Sequence, residues 1–160
     1  MKTGIYVDNA NIRMNGGYKM RHDILYKFAS IDGEVIQANV YIPSDDKKIE
    51  EDRDYANRLN SFYNKVRNNG FKIITRPIKV YNGDNGKQIR KTDMDMYIAC
   101  DALTQSENLD RLILVTGDGD FKKLIEILQN KGRKVDVIGF EHVNNCLLYT
   151  SDAADELDGV

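Results

Sequence analysis

Strand-like and helix-like segments alternate along this chain, and that alternation constrains its fold more than any other feature. Ile5-Tyr6-Val7 is a short apolar run broken by polar Asp8-Asn9-Ala10-Asn11, which predicts a buried strand and then a loop. Asp23 to Ala29 carries Ile24, Leu25 and Phe28 at helical spacing, and Asp32-Gly33 marks a turn. Val35 to Ile42 reads as a strand ended by Pro43. From Lys48 to Asn69, Tyr55, Leu59, Phe62 and Val66 form one apolar stripe, so the segment predicts a helix closed by Gly70. A strand follows from Phe71 to about Val80, and Tyr81 to Gly86 reads as a hairpin tip or mobile loop. Asp93 to Leu103 predicts a helix, Leu112 to Val115 a fully apolar strand, Asp120 to Asn130 a helix, and Val135 to Phe140 the last strand. Strands separated by helices need right-handed crossovers and a mostly parallel sheet covered on both faces. The expected fold class is therefore α/β, as a three-layer α/β/α domain.

With 160 residues the chain suits one domain, and its 41% hydrophobic and 30% charged residues exclude global disorder. No apolar run approaches a membrane-spanning length, so no membrane partner is expected. The first eight residues reach Asp8 too soon for a secretory signal. Cys100 and Cys146 are the only cysteines, which provides neither a disulfide framework nor a zinc-ligand spacing, and the expected localisation is cytoplasmic.

The last fifteen residues stand apart. Cys146 to Glu156 (CLLYTSDAADE) resembles the in-frame translation of a transposase adapter used in sequencing libraries. The expected organisation is a domain over 1–145 and a non-native tail over 146–160, set aside from fold reasoning. The alternative is a short helix using Leu148, Ala153, Ala154 and Leu157. With the tail's four acids set aside, 25 acidic residues become 21 against 23 basic ones, so the formal charge moves from −2 to +2. A body so near neutrality neither demands nor forbids a nucleic-acid partner.

The chemistry is expected where parallel sheets bind ligands, beyond the carboxyl ends of their strands. Asp8 follows the first strand, Asp118 and Asp120 follow the LILV strand, and Asp93 and Asp95 open the preceding helix. The topology allows the first strand and LILV to be neighbours. Clustered carboxylates raise one another's pKa and stay ionised only beside a compensating cation. Oxygen-only ligands suit Mg²⁺ or Mn²⁺, and a pair of such ions supports in-line displacement at a phosphodiester. Each acid also has a structural reading, because Asp is an ordinary helix N-cap and Asp8-Asn9-Ala10-Asn11 an ordinary turn. Gly117 and Gly119 suggest a tight backbone path with room for a ligand.

These residues resemble those of a known family. Ile5-Tyr6-Val7-Asp8-Asn9-Ala10-Asn11-Ile12 is similar to the opening motif of NYN domains, the LabA-like branch of the PIN-like nucleases. Lys91-Thr92-Asp93-Met94-Asp95-Met96, followed by Asp101-Ala102-Leu103, is similar to the central motif, and Leu114 to Phe121 to the third. The resemblance covers residues 4–140. It implies a PIN-like fold and metal-dependent ribonuclease activity. Asp8, Asp95, Asp118 and Asp120 would hold Mg²⁺ or Mn²⁺ and carry the catalysis. Asn11 would position the metal shell or a phosphate oxygen, and Thr116 would bond the adjacent loop or a water. Asp93 is an extra acid beside Asp95, with the one facing the site left open. Asp101, about one and two-thirds turns beyond Asp95, shares its face only loosely. The family's final helix would fall in the tail.

Arg13, Lys19, Arg21, Arg76, Lys79, Lys87, Arg90, Lys91, Lys122 and Lys123 are candidate phosphate contacts. Lys91, Arg13, Arg90 and Lys122 lead, and Lys91 stands first because it precedes the acidic motif. Tyr18 and Tyr81 are candidates to stack on unpaired bases, so the expected partner is single-stranded RNA. The alternative for each of these is solvated surface, and a homodimer is left open. His22 and His142 are expected in surface or capping roles, Cys100 in the core, and Met94 and Met96 in packing.

Three functions follow: a metal-dependent endoribonuclease, a non-catalytic RNA-binding or regulatory module retaining the acidic pocket, and a phosphatase of the haloacid dehalogenase type. The last needs a second Asp two residues after the first strand's Asp, where this chain has Ala10. An EF-hand is excluded because Lys122 falls at the next ligand position after Asp118 and Asp120.

Overall fold

The computed structural model describes residues 1–140, Tyr18 as backbone only, and the backbone of 146–149. In chain order the elements are β1 (Lys2–Asp8), α1 (Asn9–Met14), α2 (His22–Ser30), β2 (Glu34–Ser44), α3 (Asp46–Glu51) and α4 (Arg53–Asn68). There follow β3 (Lys72–Pro77), β4 (Lys79–Asn82), β5 (Gln88–Lys91), α5 (Met94–Gln105), β6 (Arg111–Val115), α6 (Lys122–Asn130), β7 (Lys134–Phe140) and β8 (Cys146–Tyr149). Short 3-10 turns precede α2, follow α5 and precede α6.

The main sheet runs β3-β2-β1-β6-β7-β8. Its first five strands are parallel, and β8, from the segment set apart in the sequence as a tail, adds an antiparallel edge to β7. Side chains of a strand alternate between faces. Ile5, Val7, Ile113 and Val115 therefore join one core with Ile12, Leu25 and Val66, under α1, α2 and α4. Tyr6, Leu112 and Leu114 join the other with Ile98, Leu124 and Leu128, under α5 and α6. All five residues of β6 are buried, which explains why Leu112 to Val115 are apolar without alternation and why Arg111 is ion-paired, to Asp136. The expected three-layer α/β/α, PIN-like architecture is the observed one.

Several local expectations are corrected. The polar stretch after β1 is a helix, not a loop, because Asp8 caps it by accepting from the Asn11 N–H at 3.3 Å. The long helix predicted from Lys48 is two, because Asp52 leaves helical geometry to cap α4 through the Tyr55 N–H. Gly70 (φ 95°) closes α4 as expected, in the left-handed conformation that glycine tolerates best. Pro43 does not end β2. Pairing with β1 has already stopped at Asp8↔Tyr41, so Pro43 needs no N–H on that side and stays paired with β3. The strand expected to run to Val80 stops at Pro77, and β4 leaves the sheet to pair with β5 in a hairpin whose eight paired residues are all exposed. Among the described residues no helix is long and apolar enough to cross a membrane.

Candidate metal centre

Strands β1 and β6 are neighbours, with Val7 opposite Val115, so the chain leaves both at one edge of the sheet. Asp8 is the last residue of β1, Asp118 lies three residues beyond β6, and Asp95 is in the first turn of α5. One carboxylate oxygen from each of Asp8, Asp95 and Asp118 lies within 4.8 Å of the others. Asp8 is buried, Asp118 half-buried and Asp95 exposed, so the group opens from the sheet edge toward solvent.

Hydrogen bonds set this arrangement. Asp8 Oδ2 accepts from the Thr116 hydroxyl at 3.1 Å, and Thr116 Oγ1 accepts from the Asp118 N–H at 3.1 Å. Asn11 Oδ1 accepts from the Gly117 N–H at 2.7 Å and joins α1 to the loop after β6. Asp118 Oδ1 accepts from the Asp120 N–H at 2.9 Å. Asp118 is thus a cap, as its structural reading expected, and Asp8 caps a helix where a plain turn was the alternative. A carboxylate has about four lone-pair sites, so capping leaves capacity for a cation.

The electrostatics are unfavourable without one. Burial pushes the Asp8 carboxyl up to about 6. The Asn11 and Thr116 hydrogen bonds pull it down, and the Asp95 and Asp118 charges push it further up. Asp95 is raised by its partial burial and by the charges of Asp118 and Asp120. Arg90, Arg111, Lys123 and Lys131 form their ion pairs with other acids. An all-oxygen donor set whose charges raise one another fits a hard divalent ion.

The remaining candidates fall around this group. Asp120 is exposed beside the three, near enough for its charge to raise Asp95, and is not one of the converging acids. Of the adjacent pair it is Asp95 that joins the group. Asp93 is exposed at the N-cap of α5 and its side chain makes no capping bond. Asp101 Oδ2 accepts from the Tyr41 hydroxyl at 2.8 Å, and that hydroxyl accepts from Asn39 Nδ2 at 3.1 Å, so Asp101 ties α5 to the sheet. Lys91 is exposed on β5, Arg90 pairs with Asp45 at the cap of α3, Arg13 is exposed on α1, and Lys122 is half-buried at the start of α6. Gly117 and Gly119 have no positive φ, and a Cβ at either would meet nothing closer than Asn11 Oδ1 at 3.4 Å. Their backbone path makes no demand for glycine, and what they leave is open ground before the carboxylates.

Other residues depart from expectation. His22 is buried edge-on to Phe62 and Phe71 and is not a surface residue. Cys100 is exposed on α5, on the side of the helix opposite the buried face carried by Ile98 and Ala102. Met94 is packed, whereas Met96 is 66% exposed. His142 and the side chain of Tyr18 lie outside the described residues. The sequence reading passed over Tyr41, although strict alternation along β2 from Asn39 would have placed both on one face.

A mostly parallel three-layer α/β domain with three carboxylates converging at the carboxyl ends of its strands fits the PIN-like fold class. More narrowly, the chain belongs to the NYN domain family, whose model matches residues 2–156. It is 25% identical over 143 residues to the low amplitude and bright protein LabA of Synechococcus elongatus, covering 86% of this chain and 73% of that one. Its fold is similar to the crystal structure of a protein of unknown function from Vibrio parahaemolyticus (TM-score 0.66, 29% identity, 86% of this chain and 80% of that one). A structure of T5 5'-exonuclease with bound zinc is a distant likeness on which nothing rests (TM-score 0.41, 15% identity, 91% and 57% covered).

Proposed function

We propose that this protein is a metal-dependent endoribonuclease that hydrolyses single-stranded RNA, using Mg²⁺ or Mn²⁺ held by Asp8, Asp95 and Asp118. The observation that carries this reading is the convergence of three carboxylates, each offering an oxygen within 4.8 Å of the others. A divalent ion bound there supplies Lewis-acid polarisation of a phosphate oxygen and offsets the charge that grows during in-line displacement. The chain's own residues prepare the place. Thr116 fixes Asp8 and the Asp118 backbone, Asn11 holds Gly117, and Asp120 orders the loop through its own N–H.

Support for an RNA substrate comes from the β4–β5 hairpin. Lys79 stands opposite Lys91, and Tyr81 opposite Ile89, on the same face of the ribbon. Like charges placed directly opposite are destabilising unless an anion lies between them. Arg90, on the other face, is anchored to Asp45. The ribbon therefore offers two ammoniums and an exposed phenol ring to a phosphate backbone with unpaired bases, and β5 leads within three residues into α5 and Asp95.

The test is cleavage of an end-labelled single-stranded RNA by the purified protein with Mn²⁺, Mg²⁺ or chelator, beside a matched DNA. The proposal expects internal cuts in RNA that require metal and fall to background in Asp118→Asn. Metal-independent RNA binding without cleavage would favour the non-catalytic module instead. Phosphate release from a small monoester with RNA left intact would favour the phosphatase.

A further inference from the structure

The residue after Asp8, Asn9, also forms a wall of a separate cavity of about 270 Å³. The other walls come from α1, the turn before α2, the start of α2 and the N-terminal half of α4. Arg13 and Arg58, both exposed, line it, and among the described residues neither has an ion-pair or side-chain hydrogen-bond partner. Two positive charges at the rim of one cavity favour an anionic ligand. Tyr55, Leu59 and Phe62, at i, i+4 and i+7 of α4, supply an apolar and aromatic wall.

His22 completes the lining. It is buried against Phe62 and Phe71, and its Nε2 is closed off from solvent. A simple anion would account for the arginines and leave the aromatic wall without a role. An apolar ligand would account for the wall and leave the arginines unpaired. A nucleotide, with a phosphate and a flat base, accounts for both. The volume lies just under the roughly 300 Å³ at which ligand clefts commonly begin, which suits one nucleotide and no longer segment.

We propose that this cavity binds one nucleotide of the RNA strand, with Arg13 and Arg58 on its phosphate and Tyr55 and Phe62 against its base. Occupied in this way, it seats the strand next to the metal centre through the Asp8–Asn9 step. This rests on the RNA reading above.

The experiment follows backbone amide and arginine side-chain NMR shifts of the full chain in chelator, titrated with uridine 5′-monophosphate, uridine or inorganic phosphate. The proposal expects saturable shifts at residues 9–22 and 55–62 with the nucleotide, and at least about tenfold weaker binding of uridine or phosphate alone. Arg13→Gln and Arg58→Gln, both at exposed positions, should each weaken nucleotide binding by about tenfold, and Asp118→Asn should leave it unchanged. Shifts absent from these residues, equal binding of inorganic phosphate, or unaltered binding in the double arginine variant would overturn it. RNA cleavage by a protein that binds no nucleotide here would overturn this site and leave the nuclease reading intact. Nucleotide binding here by a protein that cleaves no RNA would do the reverse.

Discussion

The Thr116 hydroxyl donates to Asp8 Oδ2 at 3.1 Å and accepts from the Asp118 N–H at the same distance, so one buried side chain fixes two of the three converging acids. Strand β6 delivers that hydroxyl one residue beyond its end, beside the strand that ends in Asp8.

Replacing Thr116 by Val keeps the shape and removes both bonds. Groups that orient metal ligands commonly change affinity or activity by about 10- to 100-fold, and Thr116→Val should weaken divalent-ion binding by that order. The cost in stability should be about 1–2 kcal/mol, from unmet hydrogen-bonding groups at a buried position. Thr116→Ser should restore most of the binding. Calorimetric titration with Mn²⁺ and thermal unfolding of the three proteins check this, and equal loss in the Ser variant would assign Thr116 to packing alone.

Stability should depend on pH through Asp8, whose carboxyl is pushed from 3.8 up to about 6 in the metal-free protein. The folded state then holds a proton that the unfolded chain has released. The associated stability is present in full below 3.8 and lost as pH rises through about 6. A separation of about two units corresponds to roughly 3 kcal/mol at most. Asp95 shifts in the same direction and adds to the effect. Ligands must be deprotonated to bind, so Mn²⁺ should raise the melting temperature more at about pH 8 than at about pH 5. Asp8→Asn should flatten both dependences. Differential scanning fluorimetry with and without chelator measures them, and an equal Mn²⁺ shift at the two pH values would contradict the linkage.

Fold stability and site chemistry should separate at the opposite end of the sheet. Arg111 Nε donates to Asp136 Oδ2 at 2.6 Å, with both residues buried, where β6 and β7 begin. Arg111→Met alone strands a buried carboxylate and should cost about 3–5 kcal/mol, whereas Arg111→Met with Asp136→Leu should recover most of it. Chemical denaturation measures this. Mn²⁺ affinity of the folded double variant should match wild type, because the pair stands at the amino ends of strands whose carboxyl ends bear the site.

The layered fold was legible because its signals are local and repeated: Ile5 and Val7 against Tyr6, or Ile113 against Leu112 and Leu114, announce strands covered on both faces. The acids were legible because strand ends and helix starts are visible in sequence, and the adjacency of β1 and β6 brought them together. Less was legible where one residue serves two elements. Asp8 and Asp52 each cap a short or broken helix through a side-chain bond that overrides the surrounding pattern. Asp93 and Asp95 differ only in their angle around α5, which the helix start decides. Asp101 faces Tyr41 and Arg90 faces Asp45, pairings separated by 60 and 45 residues that no local spacing encodes. The cavity beside Asn9 was hidden for the same reason, since Arg13, His22 and Arg58 meet only after α1, α2 and α4 pack.

The most direct measurement is isothermal titration of Mn²⁺ into the metal-free protein and its single Asp→Asn variants. The account predicts saturable binding in wild type that is lost in Asp8→Asn, Asp95→Asn and Asp118→Asn, and kept in Asp93→Asn and Asp101→Asn, all judged on variants that melt cooperatively. Wild-type protein with no saturable binding, or Asp118→Asn binding as tightly as wild type, would contradict it.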